Sequence, residues 1–410
     1  MPSDGDTHKN PNGALPAPPA LNAQDIARRA HGTLFFYWLG EKQSYLWAVT
    51  AQKTSLFTLP PGTEIDAAVE RYRKALGDPG DVLASGNQDG RWLYQTLIAP
   101  ARGVLDKCSA APAFVGVPRR HRTRVGCPFD KLTAGSRDSQ QDAGATSAKV
   151  FIIPDRSLNN LNLETLLVPG PKPHFWIEDA TITSASSLRV LAASRAITPG
   201  VAGKKSARNL LLVGDTVAPS KEYPELPKAA AQMESVAKHF PEGQRKIFSR
   251  EHATPAAYLG SQPGQFSYIH FVTHGTASRL SPLDSAIILS KDGAGSDSFK
   301  LYARDVIQHP LHADLVTVSA CYGAAGRSYS GEGLVGLSWA FVRAGAHHVI
   351  AALWEATDAS TQQLMDRFYD ELDQGASPDV ALRAAKLSLL RGGSFRNPFY
   401  WAPFQLYAGS

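Results

Sequence analysis

The chain has 410 residues, 43% of them hydrophobic, which is enough apolar material for a sizeable core in two compact units or one large unit with additions. Lys and Arg number 42 against 37 Asp and Glu, a net charge of +5; so small a surplus over this length argues against a nucleic-acid partner. Three cysteines, Cys108, Cys127 and Cys321, fit a reducing compartment rather than a disulfide framework, and without a C-x-x-C pair neither a structural metal nor any other cofactor is expected.

Residues 1–24 are rich in Pro, Asn, Asp and Gly and read as a disordered leader without the apolar region of a secretory signal. No run of about 18 apolar residues occurs, so the expectation is a soluble, cytoplasmic protein with no membrane partner. Thr33–Leu39, Ser44–Thr50 and Thr54–Leu59 are short aromatic and β-branched runs between polar turns, the pattern of an antiparallel meander. Ile65–Leu76 and Arg91–Ile98 predict helices. Residues 101–148 turn to Pro, Gly, Ser and Gln around the basic cluster Arg119–Arg124, and read as a long flexible insertion.

From Lys149 onward strands and helices alternate. Strands are predicted at Val150–Ile153, Leu210–Asp215, Tyr268–His274, Ala286–Ser290, Leu315–Ala320 and His348–Trp354. Helices are predicted from Pro227, over Tyr302–Gln308, Gly331–Ala344, Thr361–Leu372 and Pro378–Leu390. The fold class is α/β: a mostly parallel sheet flanked by helices over 149–410, preceded by a smaller α/β half over 25–148.

In such a sheet ligands bind beyond the carboxyl ends of the strands. One predicted strand ends in His274-Gly275, another in Cys321, and a third in Trp354-Glu-Ala-Thr-Asp358. If the first two strands are neighbours, an imidazole faces a thiol. The imidazole can take the thiol proton and later protonate a leaving amine. The backbone N–H groups of Gly275 and Cys321 would then form an oxyanion hole, Gly275 having no Cβ to keep a carbonyl away. Against this stands a plainer alternative, in which Cys321 is packed filler and His274 a satisfied polar residue. His270 and His274, four apart on a predicted strand, would share a face, but no third ligand of suitable spacing supports a metal. Gly200–Ser206 lacks the spacing of a phosphate loop.

Several motifs resemble the CHAT family. Tyr268-Ile-His-Phe-Val-Thr-His-Gly275 resembles its histidine motif, and Ala313-Asp-Leu-Val-Thr-Val-Ser-Ala-Cys321 its cysteine motif. Gly331-Glu-Gly-Leu-Val-Gly-Leu, Val349-Ile-Ala-Ala-Leu-Trp354 and Tyr400-Trp-Ala-Pro-Phe404 are similar to further landmarks in the same order. After Cys321 the run Tyr322-Gly323-Ala324 departs from the family's acidic residue and Thr-Gly. The similarity spans about Val150–Tyr407 and extends weakly to 30–100. It implies a caspase-like fold related to caspases, separases and gingipains, with a degenerate first half. It also implies a cysteine endopeptidase in which His274 and Cys321 are catalytic and a protein is the substrate. The alternatives are a non-catalytic caspase-like scaffold or another Cys-dependent acyl transferase. Many family members carry tetratricopeptide repeats; none is visible here, so a regulatory sensor would be a separate protein or module.

Asp215 and Asp358 both end strands on the proposed edge. Trp354–Asp358 resembles a separase run whose last Asp would floor the S1 pocket, implying Arg or Lys at P1. The bland reading makes Asp358 the cap of a helix beginning near Ser360. A protease preferring Arg would then be expected to process itself at Arg119–Arg124, against the plainer reading of a solvated basic loop.

Overall fold

The computed structural model describes residues 21–409 except 79, 106–146, 195–207, 279–280, 294, 296, 320–326, 330–332 and 355–356. The leader through residue 20, the Arg119–Arg124 cluster, all three cysteines and Gly200–Ser206 therefore lie outside the described residues.

Order begins within the expected leader. Helix α1 (Ala23–Ala30) is capped by Asn22, whose side chain accepts from Gln24 N–H and Asp25 N–H, and ends at left-handed His31. The meander follows as β1 (Thr33–Trp38), β2 (Ser44–Val49) and β3 (Thr54–Leu59), antiparallel with Phe36 opposite Trp47 and Trp47 opposite Leu56. Next come α2 (Gly62–Leu76) and α3 (Gln88–Leu97). The chain resumes with β4 (Ala148–Ile153), a short pair β5 (Leu167–Val168) and β6 (His174–Phe175), β7 (Ala180–Ala185) and α4 (Leu188–Ala193).

The rest alternates as β8 (Leu210–Thr216), α5 (Ala229–Ala237), β9 (Arg245–Arg250), α6 (Pro255–Gly260) and β10 (Tyr268–Val272). A small antiparallel sheet, β11 (His274–Thr276), β12 (Ala286–Ile288) and β13 (Lys300–Tyr302), precedes α7 (Ala303–Ile307) and β14 (Leu315–Ser319). The hairpin β15 (Arg327–Tyr329) and β16 (Gly333–Val335) leads to α8 (Leu337–Ala344) and β17 (His348–Ala352). The chain closes with α9 (Asp358–Asp373), α10 (Pro378–Arg391), α11 (Pro398–Trp401) and β18 (Phe404–Ala408).

Among the described residues, eleven strands form one sheet in the order β3-β2-β1-β4-β7-β18-β17-β14-β10-β8-β9. β9, β8, β10, β14 and β17 are parallel, and β18 is antiparallel to β17 and parallel to β7. The parallel strands read as unbroken apolar runs because both faces are covered. Leu210, Leu212 and Ile350 face the core of α5, α9 and α10, whereas Leu211, Val213, Phe271 and Val318 face Phe341 of α8. The first face continues without interruption into Phe35, Ile65 and Leu93 of the first half. β4 pairs with β1 on one side and β7 on the other, so the sheet has no break at the 148/149 boundary.

Two expected elements differ. The strand over Tyr268–His274 stops at Val272, because Thr273 N–H donates to Ser319 O (3.3 Å) while its hydroxyl bonds Ile288 O, turning the chain into the small sheet. The helix over Gly331–Ala344 begins only at Leu337; Gly333–Val335 is extended, and so is Gly336 (φ 163°, ψ −157°), its lack of a side chain making helix entry there costly. β7, β9 and β18 were not legible as strands.

His270 and His274 therefore do not share a strand face. His270 is fully buried in β10 with Nδ1 2.9 Å from Tyr369 Oη, and burial pushes its pKa down to about 3. The unfolded imidazole titrates near 6.5, so stability from this group is complete above about pH 6.5 and is lost as pH falls towards 3. The loss is up to about 1.4 kcal/mol per pH unit. His270→Gln should flatten the fall of unfolding free energy between about pH 6 and pH 4. Equal slopes for parent and variant in denaturant titrations would contradict this.

Candidate active site

Parallel pairing puts the carboxyl ends of β8, β10, β14 and β17 on one edge of the sheet. Gly214, Val272 and Ser319 lie side by side there in register. Gly214 is required at this point, since a Cβ would meet Val272 O at 2.4 Å.

His274 stands at this edge, two residues beyond Val272, as the first residue of β11 opposite Ile288. Its Nε2 lies 2.8 Å from Pro224 O, in the loop between β8 and α5. A carbonyl only accepts, so Nε2 carries the hydrogen and the neutral ring offers its lone pair at Nδ1. The Tyr223 ring sits 6.1 Å from the imidazole, tilted by 48°, and packs in turn on Phe299. The ring is thus held by a hydrogen bond and an aromatic neighbour, while remaining partly accessible. Gly275 is buried in β11 opposite Ile287.

Cys321, which supplies both the thiol and one of the expected oxyanion donors, lies outside the described residues. The described strand β14 ends two residues earlier, at Ser319. Ser319 accepts from Thr273 N–H through its carbonyl (3.3 Å) and from Gln232 Nε2 of α5 through its hydroxyl (3.0 Å). The histidine strand and the cysteine strand are therefore neighbours, joined by a hydrogen bond one residue before His274.

Asp215 occupies the bulge of β8 between Gly214 and Thr216, with a left-handed backbone (φ 49°). Its Oδ1 is 3.5 Å from Arg250 Nη1, and Arg250 also holds Glu225 at 2.9 Å. The hydrogen bond from Arg250 holds the Glu225 carboxyl below the usual carboxylate range. Asp215 is thus already faced by a cation. Asp358 is the first residue of α9, and the cap is Thr357, whose side chain accepts from Ser360 N–H. This corrects the reading of Asp358 as helix cap. Trp354, which opens the same motif, donates from Nε1 to Phe399 O (3.1 Å).

Sequence reasoning missed Tyr223, Pro224, Glu225 and Arg250. Their position after a parallel strand was a signal, but Pro224 acts through its carbonyl, which every residue possesses. No described helix is long and apolar enough to cross a membrane.

A family model described as CHAT domain matches residues 87–410. Tetratricopeptide repeat protein 28 of Mus musculus is 34% identical over 106 residues, and its Homo sapiens counterpart 29% over 106. That segment is 26% of this chain, and the chain spans about 4% of the length of these curated relatives. Among solved structures, the separase–securin complex of Saccharomyces cerevisiae superposes with a TM-score of 0.59 at 10% identity, covering 94% of this chain and 30% of that one. The Arg-specific cysteine proteinase gingipain R gives 0.41 at 11% identity, covering 66% and 64%. The fold, a large mostly parallel sheet flanked by helices, is caspase-like.

Proposed function

Because the chain belongs to the CHAT domain family, a caspase-like fold able to support cysteine peptidase chemistry, we propose that it is a cysteine endopeptidase acting on a protein partner, with Cys321 as nucleophile and His274 as proton carrier. The observation that carries this is the pairing of β10 with β14. Val272 and Ser319 are in register, and two residues on from each lie His274 and Cys321. Two residues span at most about 7 Å, so both groups start from one point of the sheet edge.

Nδ1 of His274 takes the Sγ proton, and the thiolate adds to the scissile carbonyl carbon. The carbonyl electrons move to oxygen, where Gly275 N–H and Cys321 N–H receive them. Collapse breaks the C–N bond, and the imidazolium returns its proton to the leaving amine. Water, deprotonated by the same nitrogen, then cleaves the thioester and restores the thiol. Pro224 O steadies the ring through both protonation states. Asp358 is the preferred floor of an S1 pocket for Arg or Lys; Asp215 contributes less, its charge being shared with Arg250. The sparse cysteines suit a cytoplasmic, reducing setting.

The second reading is a non-catalytic interaction module, supported by the similarity to tetratricopeptide repeat protein 28. The test is labelling by acyloxymethyl ketone peptides bearing Arg, Lys, Asp or Leu at P1. The endopeptidase labels at Cys321 with Arg or Lys, and Cys321→Ala does not. No labelling by any peptide favours the scaffold, and Asp preference removes Asp358 from the pocket.

A further inference from the structure

Arg250, the last residue of β9, is held at both its backbone and its side chain. Its backbone is left-handed (φ 54°), which is uncommon for a residue with a Cβ and calls for a cause. Its carbonyl accepts from Ser290 Oγ (2.6 Å), and the same hydroxyl accepts from Val217 N–H (3.0 Å). Ser290 is buried, and its own N–H donates to Ala253 O at 2.9 Å. The guanidinium meanwhile grips both oxygens of Glu225, Nη2 to Oε1 at 2.9 Å and Nη1 to Oε2 at 3.3 Å. A two-pronged pair of this kind fixes direction as well as distance. Asp215, met by one prong at 3.5 Å, is the weaker partner.

These contacts close a circuit on His274. Its backbone pairs with Ile288 of β12. Two residues further on, Ser290 holds the Arg250 carbonyl, and Arg250 grips Glu225. The residue before Glu225 is Pro224, whose carbonyl accepts from His274 Nε2 at 2.8 Å. The Glu225 carboxylate also accepts from Ala218 N–H, so it ties the end of the loop 217–225 to its start. The direction of a carbonyl is set by the chain on either side of it. Before Pro224, Tyr223 packs on Phe299; after it, Glu225 is held from β9. The Arg250 and Glu225 side chains are 43% and 48% exposed, and a surface ion pair contributes little to overall stability. Its consequence here is geometric. We propose that Arg250 is a positioning residue: through Glu225 it aims the Pro224 carbonyl at His274 Nε2 and so holds the imidazole in one orientation, with Nδ1 left as the basic nitrogen. This rests on the reading of His274 as proton carrier and adds to it a residue from the edge strand of the sheet.

The test compares the full chain with its Arg250→Met, Glu225→Met and doubly substituted variants. The first measurement is exchange with water of the His274 Nε2–H proton, followed by 1H–15N spectroscopy and assigned by its loss in His274→Asn; it needs no turnover. Exchange should be at least tenfold faster in each single variant and no faster again in the double variant, because both act through one contact. Arg250→Lys, whose single ammonium cannot grip both oxygens, should fall between parent and Arg250→Met, and reads the same contact with a milder change. The second measurement is peptide cleavage. In Arg250→Met kcat should fall about 10–100-fold with KM within about twofold of the parent, the signature of a misplaced acid–base group. Unchanged Nε2–H exchange in Arg250→Met overturns the proposal, whatever the peptides show. So does a double variant in which the two single effects multiply, since Arg250 would then act by a route other than Glu225. A raised KM at unchanged kcat also overturns it, by making Arg250 a substrate-binding group. Faster exchange in the variants of a protein that cleaves no peptide and is not labelled at Cys321 upholds the clasp and removes the endopeptidase reading instead.

Discussion

Replacing His274 by Asn should slow alkylation of Cys321 by iodoacetamide at neutral pH by about 10²–10⁴-fold, the usual value of a positioned acid–base group. The physical content is in the pH profile. A thiol without a partner ionises near pH 8.5, so the alkylation deficit should shrink as pH rises through that value. Peptide cleavage should not recover with it, because the leaving amine still lacks a proton donor. Asn is shorter and gives up the ring contact with Tyr223, but it leaves the backbone pairing of residue 274 with Ile288 in the small sheet intact. Equal alkylation rates for parent and His274→Asn at pH 7 would remove the imidazole from the mechanism. Cleavage that recovers in parallel with alkylation would reduce its role to thiolate formation.

Lys386→Met should destabilise the fold by about 3–5 kcal/mol. Lys386 of α10 is fully buried and bonds Glu164, itself 6% exposed by side chain, in the short 3-10 turn Leu163–Thr165. Asn162 completes the network, donating to Glu164 Oε2 at 3.1 Å and to Ala402 O at 2.8 Å. Burial pulls the Lys386 pKa down and the Glu164 carboxylate pushes it back. Removing the ammonium alone leaves a carboxylate with no cation in a dry site. Lys386→Met with Glu164→Gln removes both charges and should regain most of the loss, because a buried pair contributes little beyond its own desolvation. Urea unfolding of the parent, both single variants and the double variant measures the cycle. A Lys386→Met protein within about 0.5 kcal/mol of the parent would contradict this account of the network.

Neither Lys386 nor Glu164 was visible as special in the sequence. Pro378–Leu390 reads as an amphipathic helix, and a lysine in such a pattern is expected in water. Only the approach of the Leu163–Thr165 turn to α10 encloses it. The same holds for His270, which alternation along β10 places on a strand face but which only Tyr369, 99 residues later, makes a buried neutral imidazole. Glycines misled in the opposite direction: Gly333 and Gly336 sit in a run otherwise fit for a helix, and the chain is extended at both before α8 begins.

The sequence by itself determined the alternation of strands and helices, the aromatic meander and the family motifs around His274 and Cys321. Each is a local property, set by side-chain periodicity or by a contiguous run of residues. Only the tertiary structure decided that both halves form one sheet, that β10 and β14 are neighbours, that Pro224 O fixes the histidine tautomer and that Arg250 shares the charge of Asp215. Those facts depend on which distant segments meet; strand pairing and the Pro224 contact run through backbone groups that every residue carries, and the Arg250–Asp215 pair joins residues 35 positions apart.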